Sequence, residues 1–389
     1  MHQIAERRRW LRQKGVQSGD RIALQMAPCQ EWISIFLATL ELGAIFCPLP
    51  IKAPPEPLLR RLRPKLWIDP TGSSHRMEQS PVTLPESSLL LFTSGSTATP
   101  KIAVFGIHQL LKSAEAVVNA LAIDLTDCLH LSLPLHHVGG IGIVFRSLIS
   151  GAPITFSADD PAITILSQVP TQLYRAWPIH SRLRAILLGG APITHIPPEL
   201  PIYATYGLTE MGSAVLLKRH PLKLENHFYL GQPLPHAQMK LAPDGEILVS
   251  GDSLFSGYLN EQGITPPEKW FATKDLGKWD PKEGFAIVGR KDNLFISGGE
   301  NIQPEEIEHE LLQHPAILEA VVAPKKDPEF GMRPVACIRT SRALSLKDVQ
   351  LFLSPRLPKY KIPIALEEMP FFELKPDRKK IFELVNRSF

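Results

Sequence analysis

Short apolar runs alternate with helical patterns along the first part of the chain, and this alternation constrains the fold more than any other feature. Strand-like runs lie at residues 21–26, 88–92, 128–133, 185–188 and 202–205, and helical patterns lie at 30–42 and 108–121. Because strands and helices in this order pack as successive layers, the pattern predicts an α/β fold.

The pattern changes after Gly231 to short strands separated by turns, which indicates a β-rich subdomain at about 231–288. We therefore predict a large N-terminal domain of layered α/β subdomains, with this β-rich subdomain, over residues 1–288. From Pro304 the chain reads helix, strand, strand, helix, which predicts a small α+β C-terminal domain at 289–389. The segment 288–293 is the expected connector and a natural hinge between the two domains.

Charge and cysteine content exclude several classes of protein. Against 39 acidic residues the 389-residue chain has 42 Lys and Arg, so its net charge of +3 gives no broad basic surface for nucleic acid. Cysteines 29, 47, 128 and 337 lie far apart without metal-ligand spacing, which fits a reducing cytoplasm and predicts neither zinc nor disulfides. No segment reads as a signal peptide or a membrane span, and the sequence leaves the oligomeric state open.

A predicted strand runs directly into a loop that combines hydroxyls, a glycine and a lysine. The polar groups of this loop are Thr93, Ser94, Gly95, Ser96, Thr97 and Lys101. Hydroxyl and backbone N–H groups can surround phosphate oxygens while the lysine supplies positive charge, although the spacing differs from the GxxxxGK[ST] pattern. Taken alone, such a loop is equally consistent with a plain surface turn.

The order TSGST followed by Pro-Lys resembles the adenylate-forming superfamily of acyl-CoA synthetases, luciferases and peptide-synthetase adenylation domains. Three further motifs follow in the expected order, YATYGLTE at 203–210, TKD at 273–275 and GRKD at 289–292. The resemblance extends over nearly the whole chain. It implies an enzyme that uses ATP and Mg²⁺ to convert a carboxylic acid into an acyl-AMP and then transfers the acyl group to coenzyme A.

The same resemblance implies which residues bind the nucleotide. Tyr206 would stack on adenine, Thr209 would contact the α-phosphate and Glu210 would hold Mg²⁺, and an oxygen ligand suits this ion. The remaining members of the implied nucleotide set are Gly189, Gly190, Ala191, Gly207, Asp275 and Arg290, with the last two on the ribose. Without the resemblance, Glu210 would be interpreted as a charge at a helix N-terminus and Asp275 as a turn residue.

The acid is expected to bind beside the nucleotide. By resemblance, His137 lies at the entrance of the acyl pocket, which Gly139, Gly140 and Ser213 border. The adjacent histidines of the LPLHHVGG segment lack a third ligand and therefore do not predict a metal site.

A lysine near the C-terminus is implied to offset charge while the carboxylate attacks the α-phosphate. Lys380 is the predicted residue, and Lys379 stays an alternative because the glycine usual before this lysine is absent. Asp292 matches the family hinge, about which a mobile C-terminal domain would rotate between two arrangements. From composition alone, the basic run would be a solvated surface.

Segments 132–138, 169–173 and 292–300 most resemble the o-succinylbenzoate–CoA ligases of menaquinone biosynthesis. The expected reaction converts o-succinylbenzoate, ATP and coenzyme A into o-succinylbenzoyl-CoA, AMP and diphosphate. Three alternatives stay open: a ligase for another aromatic or fatty acid, a degenerate non-catalytic nucleotide-binding paralogue, and a peptide-synthetase adenylation domain, for which a carrier domain is expected downstream.

Overall fold

The computed structural model describes residues 2–79, 82–84, 86–93, 100–173, 180–193, 195–224, 227–369 and 378–387. Its first elements are α1 (His2–Gln13), β1 (Arg21–Leu24), α2 (Gln30–Glu41), β2 (Ile45–Pro48), α3 (Pro55–Leu62), β3 (Leu66–Ile68), β4 (Ser74–Arg76), β5 (Leu89–Thr93), β6 (Lys101–Phe105) and α4 (Ile107–Leu121). Strands β1, β2, β3 and β5 are joined by parallel pairings, as expected where helices connect successive strands.

The next elements build a second sheet. They are β7 (Leu129–His130), α5 (Val138–Ser150), β8 (Ile154–Thr155), β9 (Ile165–Gln168), α6 (Pro170–Leu173), β10 (Ala185–Leu188), β11 (Ile202–Leu208), a 3-10 turn (Thr209–Met211) and β12 (Ser213–Arg219). The strand order is β12-β11-β10-β9-β7-β8, and only the β11–β12 pair is antiparallel. The strands predicted near residues 185 and 202 are confirmed, whereas the one predicted at 128–133 is shorter, because the chain leaves the sheet after His130.

Short strands follow, as predicted. They are β13 (Lys223–Leu224), β14 (His227–Phe228), β15 (Ala237–Leu241), β16 (Glu246–Gly251), β17 (Gly257–Leu259), β18 (Ile264–Thr265), β19 (Phe271–Asp280), β20 (Gly284–Arg290) and a 3-10 turn (Lys291–Asn293). An antiparallel sheet has the order β15-β16-β19-β20, while β17 and β18 extend the first sheet through a pairing of β17 with β6.

The last elements surround a separate sheet. They are β21 (Phe295–Ser297), β22 (Glu300–Ile302), α7 (Pro304–Leu311), β23 (Ile317–Asp327), β24 (Gly331–Thr340), α8 (Leu346–Leu353), a 3-10 turn (Lys359–Lys361), β25 (Ala365–Glu368) and α9 (Arg378–Val385). The order β22-β21-β24-β23, with β25 beside β24, and the packing of α7 and α9 on β23 form an α+β unit. The predicted boundary near Gly289 falls inside β20, one residue before its end.

A shared apolar core ties the first two sheets together. Trp32 and Phe36 of α2, Phe46 of β2 and Phe145 of α5 form a chain of ring contacts with centroid separations between 4.8 and 6.0 Å. Aromatic clusters of this kind combine large buried area with a fixed geometry. Helix α5, which carries the predicted acyl-pocket residues, is therefore anchored in the core rather than held on a loop.

The cysteines are single thiols inside these layers. Cys47, Cys128 and Cys337 are buried and Cys29 is half-buried, and all are free. Burial raises the pKa of Cys47 and of Cys337 to about 12. Among the residues that the structure describes, no helix is both long and apolar enough to cross a membrane.

Candidate active site

The phosphate loop connects two paired strands. Thr93 ends β5 and is the register partner of Lys101, the first residue of β6. Thr93 is buried and Lys101 is exposed. The predicted loop residues Ser94, Gly95, Ser96 and Thr97 lie outside the described residues.

The ends of two neighbouring parallel strands approach each other closely at Gly189. A Cβ on Gly189 would lie 2.1 Å from Thr205 Oγ1 of β11, so only glycine fits after β10. Gly190 has φ +77°, which glycine adopts without strain, and the half-buried Ala191 follows it. Ligands in open α/β sheets bind at the carboxyl ends of the strands, and this segment lies at such an end.

Tyr206, Asp275 and Arg290 form one hydrogen-bonded group, although 84 positions separate the first from the last in the sequence. The Tyr206 hydroxyl donates to Asp275 Oδ2 at 2.6 Å, and Arg290 Nη1 donates to Asp275 Oδ1 at 2.8 Å. Asp275 and Arg290 are register partners on β19 and β20, which fixes their side chains on the same face. Three of the predicted nucleotide residues are thus brought together.

Burial is the main influence on the pKa of Tyr206. Burial, and then the charge and hydrogen bond of Asp275, raise the pKa of Tyr206 well above its usual value. The phenol therefore stays protonated at neutral pH and donates a hydrogen bond to the carboxylate. Asp275 is 8% exposed, so these two donors offset much of the cost of burying its charge.

The connector residue Asp292 lies between two cations. Lys274 Nζ is 3.1 Å from Asp292 Oδ1, and Arg290 Nη2 is 3.7 Å from Asp292 Oδ2. Lys274 adopts φ +63°, a left-handed conformation that costs a non-glycine residue about 1 kcal/mol. The side chain of Lys274 brings an ammonium group to the predicted hinge residue.

Thr209 and Glu210 lie in the 3-10 turn that follows β11. Both are half-buried, and Gly212 ends the turn with φ +68°. The hydroxyl of Tyr258 donates a short hydrogen bond to Glu210 Oε1, and Lys101 Nζ lies 4.6 Å from the centre of the Tyr258 ring. Tyr258 thereby joins the predicted phosphate lysine to the predicted metal ligand, a role that the sequence analysis missed.

The start of α5 carries three of the predicted acyl-pocket residues, and the fourth, Ser213, begins β12. His137 is the N-cap residue and is exposed, and its ring centre lies 4.2 Å from that of His136. Burial, together with the neighbouring His137, lowers the pKa of His136 to about 4. A Cβ on Gly140 would lie 2.3 Å from the Pro134 carbonyl oxygen, so glycine lets the helix begin close to the preceding segment, and Gly139 precedes it.

Arg146 and the predicted acyl-pocket residue Ser213 both lie beside Gly142 of α5. A Cβ on Gly142 would lie 3.4 Å from Ser213 Oγ and 3.6 Å from Arg146 Nη2. Arg146 is 5% exposed, burial lowers its pKa to about 10, and its Nε donates to the Gly142 carbonyl oxygen. Among the described residues no carboxylate forms an ion pair with Arg146. The sequence signal for it is one arginine within an otherwise uncharged helix.

The backbone of Ser213 is strained. Its φ of +146° lies in a region that favours glycine, and its carbonyl oxygen would be 2.2 Å from a Cβ on Gly207. Gly207 also follows an irregularity in the pairing of β11 with β12. Strain of this kind persists where the surrounding structure fixes a residue, and such positions cluster at functional sites.

The candidate lysines lie in the first turn of α9. Lys379 and Lys380 are both exposed, whereas Ile381 and Val385 on the same helix are buried. Arg378 Nη2 lies 2.8 Å from Glu308 Oε2, and Arg378 Nη1 donates to the Val322 carbonyl oxygen at 3.1 Å. The helix register is therefore fixed, and both lysines stay candidates.

This chain is similar to a known enzyme family over most of its length. The family model for AMP-binding enzyme matches residues 2–64 and 60–259. The 2-succinylbenzoate–CoA ligase of Haemophilus influenzae is 35% identical over 93% of this chain and 85% of its own length. That of Escherichia coli is 34% identical over 92% and 85%.

Solved structures agree over almost the whole chain. A variant of E. coli MenE with bound OSB-AMS superposes with a TM-score of 0.83 at 29% identity, covering 99% of this chain and 92% of that one. The Bacillus subtilis o-succinylbenzoate CoA synthetase with the acyl-adenylate intermediate OSB-AMP gives 0.80 at 25% identity, covering 97% and 90%.

Proposed function

Because the chain belongs to the AMP-binding enzymes, and within them to the 2-succinylbenzoate–CoA ligases, we propose that it joins 2-succinylbenzoate to coenzyme A with conversion of ATP to AMP. It is an AMP-forming acid–thiol ligase. The observation that carries the choice of acid is the 35% identity to such a ligase along 93% of the chain. The product belongs to menaquinone biosynthesis. We also propose a cytoplasmic location, because the four cysteines lie far apart and suggest a reducing compartment.

In the first half-reaction a carboxylate oxygen of the acid attacks the α-phosphorus of ATP, and the bond to the departing diphosphate breaks. Asp275 and Arg290 hold the ribose, Tyr206 packs on adenine, and the loop from Gly189 to Ala191 adjoins it. Thr209 donates to the α-phosphate, while Lys101 and the loop from Thr93 to Thr97 bind the outer phosphates. Positioning and offset of charge together lower the barrier.

Magnesium fits the described donor set through a single carboxylate. Glu210 is half-buried and offers a hard oxygen, and the described residues contain no group of three or more acidic, histidine or cysteine side chains that would form a complete metal cage. An ion held by one carboxylate together with substrate phosphates is usual for Mg²⁺. When bound, Mg²⁺ would supply positive charge to the phosphate oxygens. Glu210 would be its protein ligand.

The second carboxylate of the acid requires a buried partner, because an isolated charge is costly away from water. Arg146 supplies a buried guanidinium, and Ser213 Oγ adjoins the same space beside Gly142. We assign Arg146 to this carboxylate, with Ser213 as an additional donor. His137, Gly139 and Gly140 border the entrance of the pocket.

Lys380 offsets the charge that develops as the carboxylate attacks, and Lys379 is the alternative. In the second half-reaction the thiol of coenzyme A releases its proton to solvent and its sulfur attacks the acyl carbonyl carbon, the bond to AMP breaks, and AMP leaves with the electron pair. The C-terminal domain rotates about Asp292 between the two half-reactions. The thioester and AMP are then released.

The test is a substrate panel of 2-succinylbenzoate, benzoate and octanoate with ATP, Mg²⁺ and coenzyme A, read as diphosphate release and thioester mass. We expect thioester from 2-succinylbenzoate alone. Diphosphate release should be lost in Lys380→Ala and retained in Lys379→Ala, and the reverse would exchange the two lysines. Thioester from another acid would replace the substrate, and ATP binding without diphosphate release would indicate a degenerate paralogue.

A further inference from the structure

Tyr258 contacts two predicted ATP-site groups of opposite charge. Its hydroxyl donates to Glu210 Oε1, and Lys101 Nζ lies over its ring at 4.6 Å from the ring centre. Lys101 forms no ion pair within the part of the chain that the structure describes. Tyr258 therefore contacts a cation suited to phosphate with its ring and a carboxylate suited to a metal with its hydroxyl.

The position of Tyr258 is fixed by its strand. Tyr258 pairs with Ala103 of β6, two residues after Lys101, so it lies beside the end of the phosphate loop. The preceding Gly257 has φ +138°, and a Cβ there would lie 2.1 Å from the Thr265 carbonyl oxygen. Because no other residue fits at that point, the path of β17 and the direction of the tyrosine are set.

The same segment also holds the backbone of Glu210. Phe255 N–H donates to the Glu210 carbonyl oxygen at 2.8 Å, and the Phe255 ring packs edge-on against Tyr258 at 4.7 Å. The carboxylate and the backbone of Glu210 are thus fixed from one side. The hydroxyl engages Oε1, and Oε2 accepts no hydrogen bond from the described residues. A fixed carboxylate with one oxygen bonded by a neighbouring donor is the arrangement that orients metal ligands in proteins.

The ring has a second consequence. An ammonium on an aromatic face is attracted by the ring without being neutralised. Without the ring, Lys101 could fold directly onto Glu210, and the two charges would cancel before a nucleotide or a metal arrives. The ring keeps both charges available.

Resting on the proposed function for its ATP site, we propose that Tyr258 is a positioning residue that orients Glu210 toward a divalent cation and keeps Lys101 available for polyphosphate. Its hydroxyl serves the metal ligand and its ring serves the lysine. These two roles are separable by substitution.

The experiment measures Mn²⁺ binding by electron paramagnetic resonance in the presence of the α,β-methylene analogue of ATP, with no acid and no turnover. Tyr258→Phe keeps the ring and removes the hydroxyl, so Mn²⁺ affinity should fall about tenfold while affinity for the analogue at saturating Mn²⁺ stays unchanged. Tyr258→Leu removes both groups and should weaken Mn²⁺ and the analogue together. Steady-state kinetics should show the loss in Tyr258→Phe restored by excess Mg²⁺.

A double variant tests the separating role of the ring. If Lys101 collapses onto Glu210 in Tyr258→Leu, then adding Lys101→Met should recover part of the lost Mn²⁺ affinity. The matched control is Tyr360→Phe, since Tyr360 also lies near a lysine, Lys361 Nζ at 5.7 Å from its ring centre. This control should bind Mn²⁺ like the unaltered protein.

Three results would overturn the proposal. If Tyr258→Phe leaves the Mn²⁺ affinity unchanged, the hydroxyl does not orient Glu210. If Lys101→Met does not recover Mn²⁺ affinity in the Tyr258→Leu variant, the ring does not keep Lys101 away from Glu210. No Mn²⁺-dependent binding of the analogue by the unaltered protein overturns this proposal together with the ATP site. Because no acid is present, an error in the assigned acid leaves all these results unchanged and is detected only by the substrate panel.

Discussion

The candidate active site has a predicted ribose side, formed by Tyr206, Asp275 and Arg290, and a predicted acyl side, which includes Arg146 and Ser213. A buried charge on each side is stabilised in a different way. On the ribose side Asp275 has a protein donor on each oxygen, from Tyr206 and from Arg290. On the acyl side Arg146 is equally enclosed, yet its described bond is to a backbone carbonyl oxygen, and no described carboxylate pairs with it. Both oxygens of Asp275 have protein donors, whereas under the proposed function the second carboxylate of the acid would be the charge partner of Arg146.

This difference indicates where binding free energy is gained. A preformed, charge-compensated group changes little when its ligand arrives, so it serves positioning. A buried cation without a counterion destabilises the free protein and becomes favourable when an anion binds. The acyl side should therefore show the stronger selection for a dianionic acid.

Arg146→Met should have the largest effect. Loss of a buried charge partner costs several kcal/mol, so the KM for 2-succinylbenzoate should rise roughly a hundredfold. The free energy of unfolding should stay equal or increase, because an uncompensated buried cation is removed. Steady-state kinetics and urea unfolding measure the two quantities.

Arg21→Met is the matched control for this prediction. Arg21 is 2% exposed and donates to the carbonyl oxygens of Leu62 and Val82 at 2.8 and 2.7 Å. Its loss should lower the free energy of unfolding by about 1–3 kcal/mol and leave the KM for the acid unchanged. An unchanged KM in Arg146→Met would remove the contrast between the two sides.

Asp275→Asn should have the next largest effect. The amide retains the shape but loses the charge that Arg290 engages, so the KM for ATP should rise about 10- to 100-fold. The matched control is Asp127→Asn, because Asp127 is also buried and bonds Arg184 Nε at 2.7 Å outside the site. If both variants lower the free energy of unfolding and neither changes the KM for ATP, Asp275 is a structural residue.

Tyr206→Phe should raise the KM for ATP only about fivefold, because the ring remains and one hydrogen bond to a charged group is lost. Its pKa is raised in the folded protein, so the unfolded chain releases this proton near pH 10 while the folded protein retains it. The free energy of unfolding should therefore fall as the pH rises above that value, and part of this fall should disappear in the phenylalanine variant. An alkaline unfolding series that is identical for both proteins would contradict the buried donor.

Lys274→Gly should have the smallest effect. Relief of the left-handed backbone and loss of an exposed ion pair oppose each other, so the free energy of unfolding should change by less than about 1 kcal/mol. Thioester formation from preformed acyl-AMP should lose part of its dependence on salt, because the pair with Asp292 is absent. Lys274→Ala keeps the strained backbone without the ammonium and so separates the two contributions. If thioester formation depends equally on salt in the unaltered protein, Lys274→Gly and Lys274→Ala, the pair of Lys274 with Asp292 has no role in this step.

The sequence predicts the layers from apolar periodicity. It implies the residues of the ribose side only through short motifs that resemble those of the adenylate-forming superfamily. It identifies Tyr206, Asp275 and Arg290 one by one, but their mutual contacts require the pairing of β19 with β20 and the approach of β11. Arg146 was missed because an apolar helix predicts burial for every position, and a charged residue there shows its role only when its surroundings are known.

The contacts of Tyr258 and Lys274 could not be predicted from the sequence either. Tyr258 lies 48 positions from Glu210, and no local pattern links a tyrosine on a short strand to that carboxylate. Lys274 is part of the TKD motif, yet its positive φ and its contact with Asp292 are properties of the folded chain. Contacts between distant segments are what the sequence alone did not specify.

The thiols make this protein a convenient host for site-specific probes. Cys47 and Cys337 stay protonated far above neutral pH and, like Cys128, are buried, so maleimide reagents should react mainly at Cys29. Cys29 is the N-cap residue of α2 and makes no capping bond with its side chain, whereas serine is favoured there, so Cys29→Ser should remove the background and strengthen the helix. In that host, dyes on cysteines introduced at the exposed Trp279 and Ile296, on either side of the connector, would test whether the proposed rotation occurs during turnover.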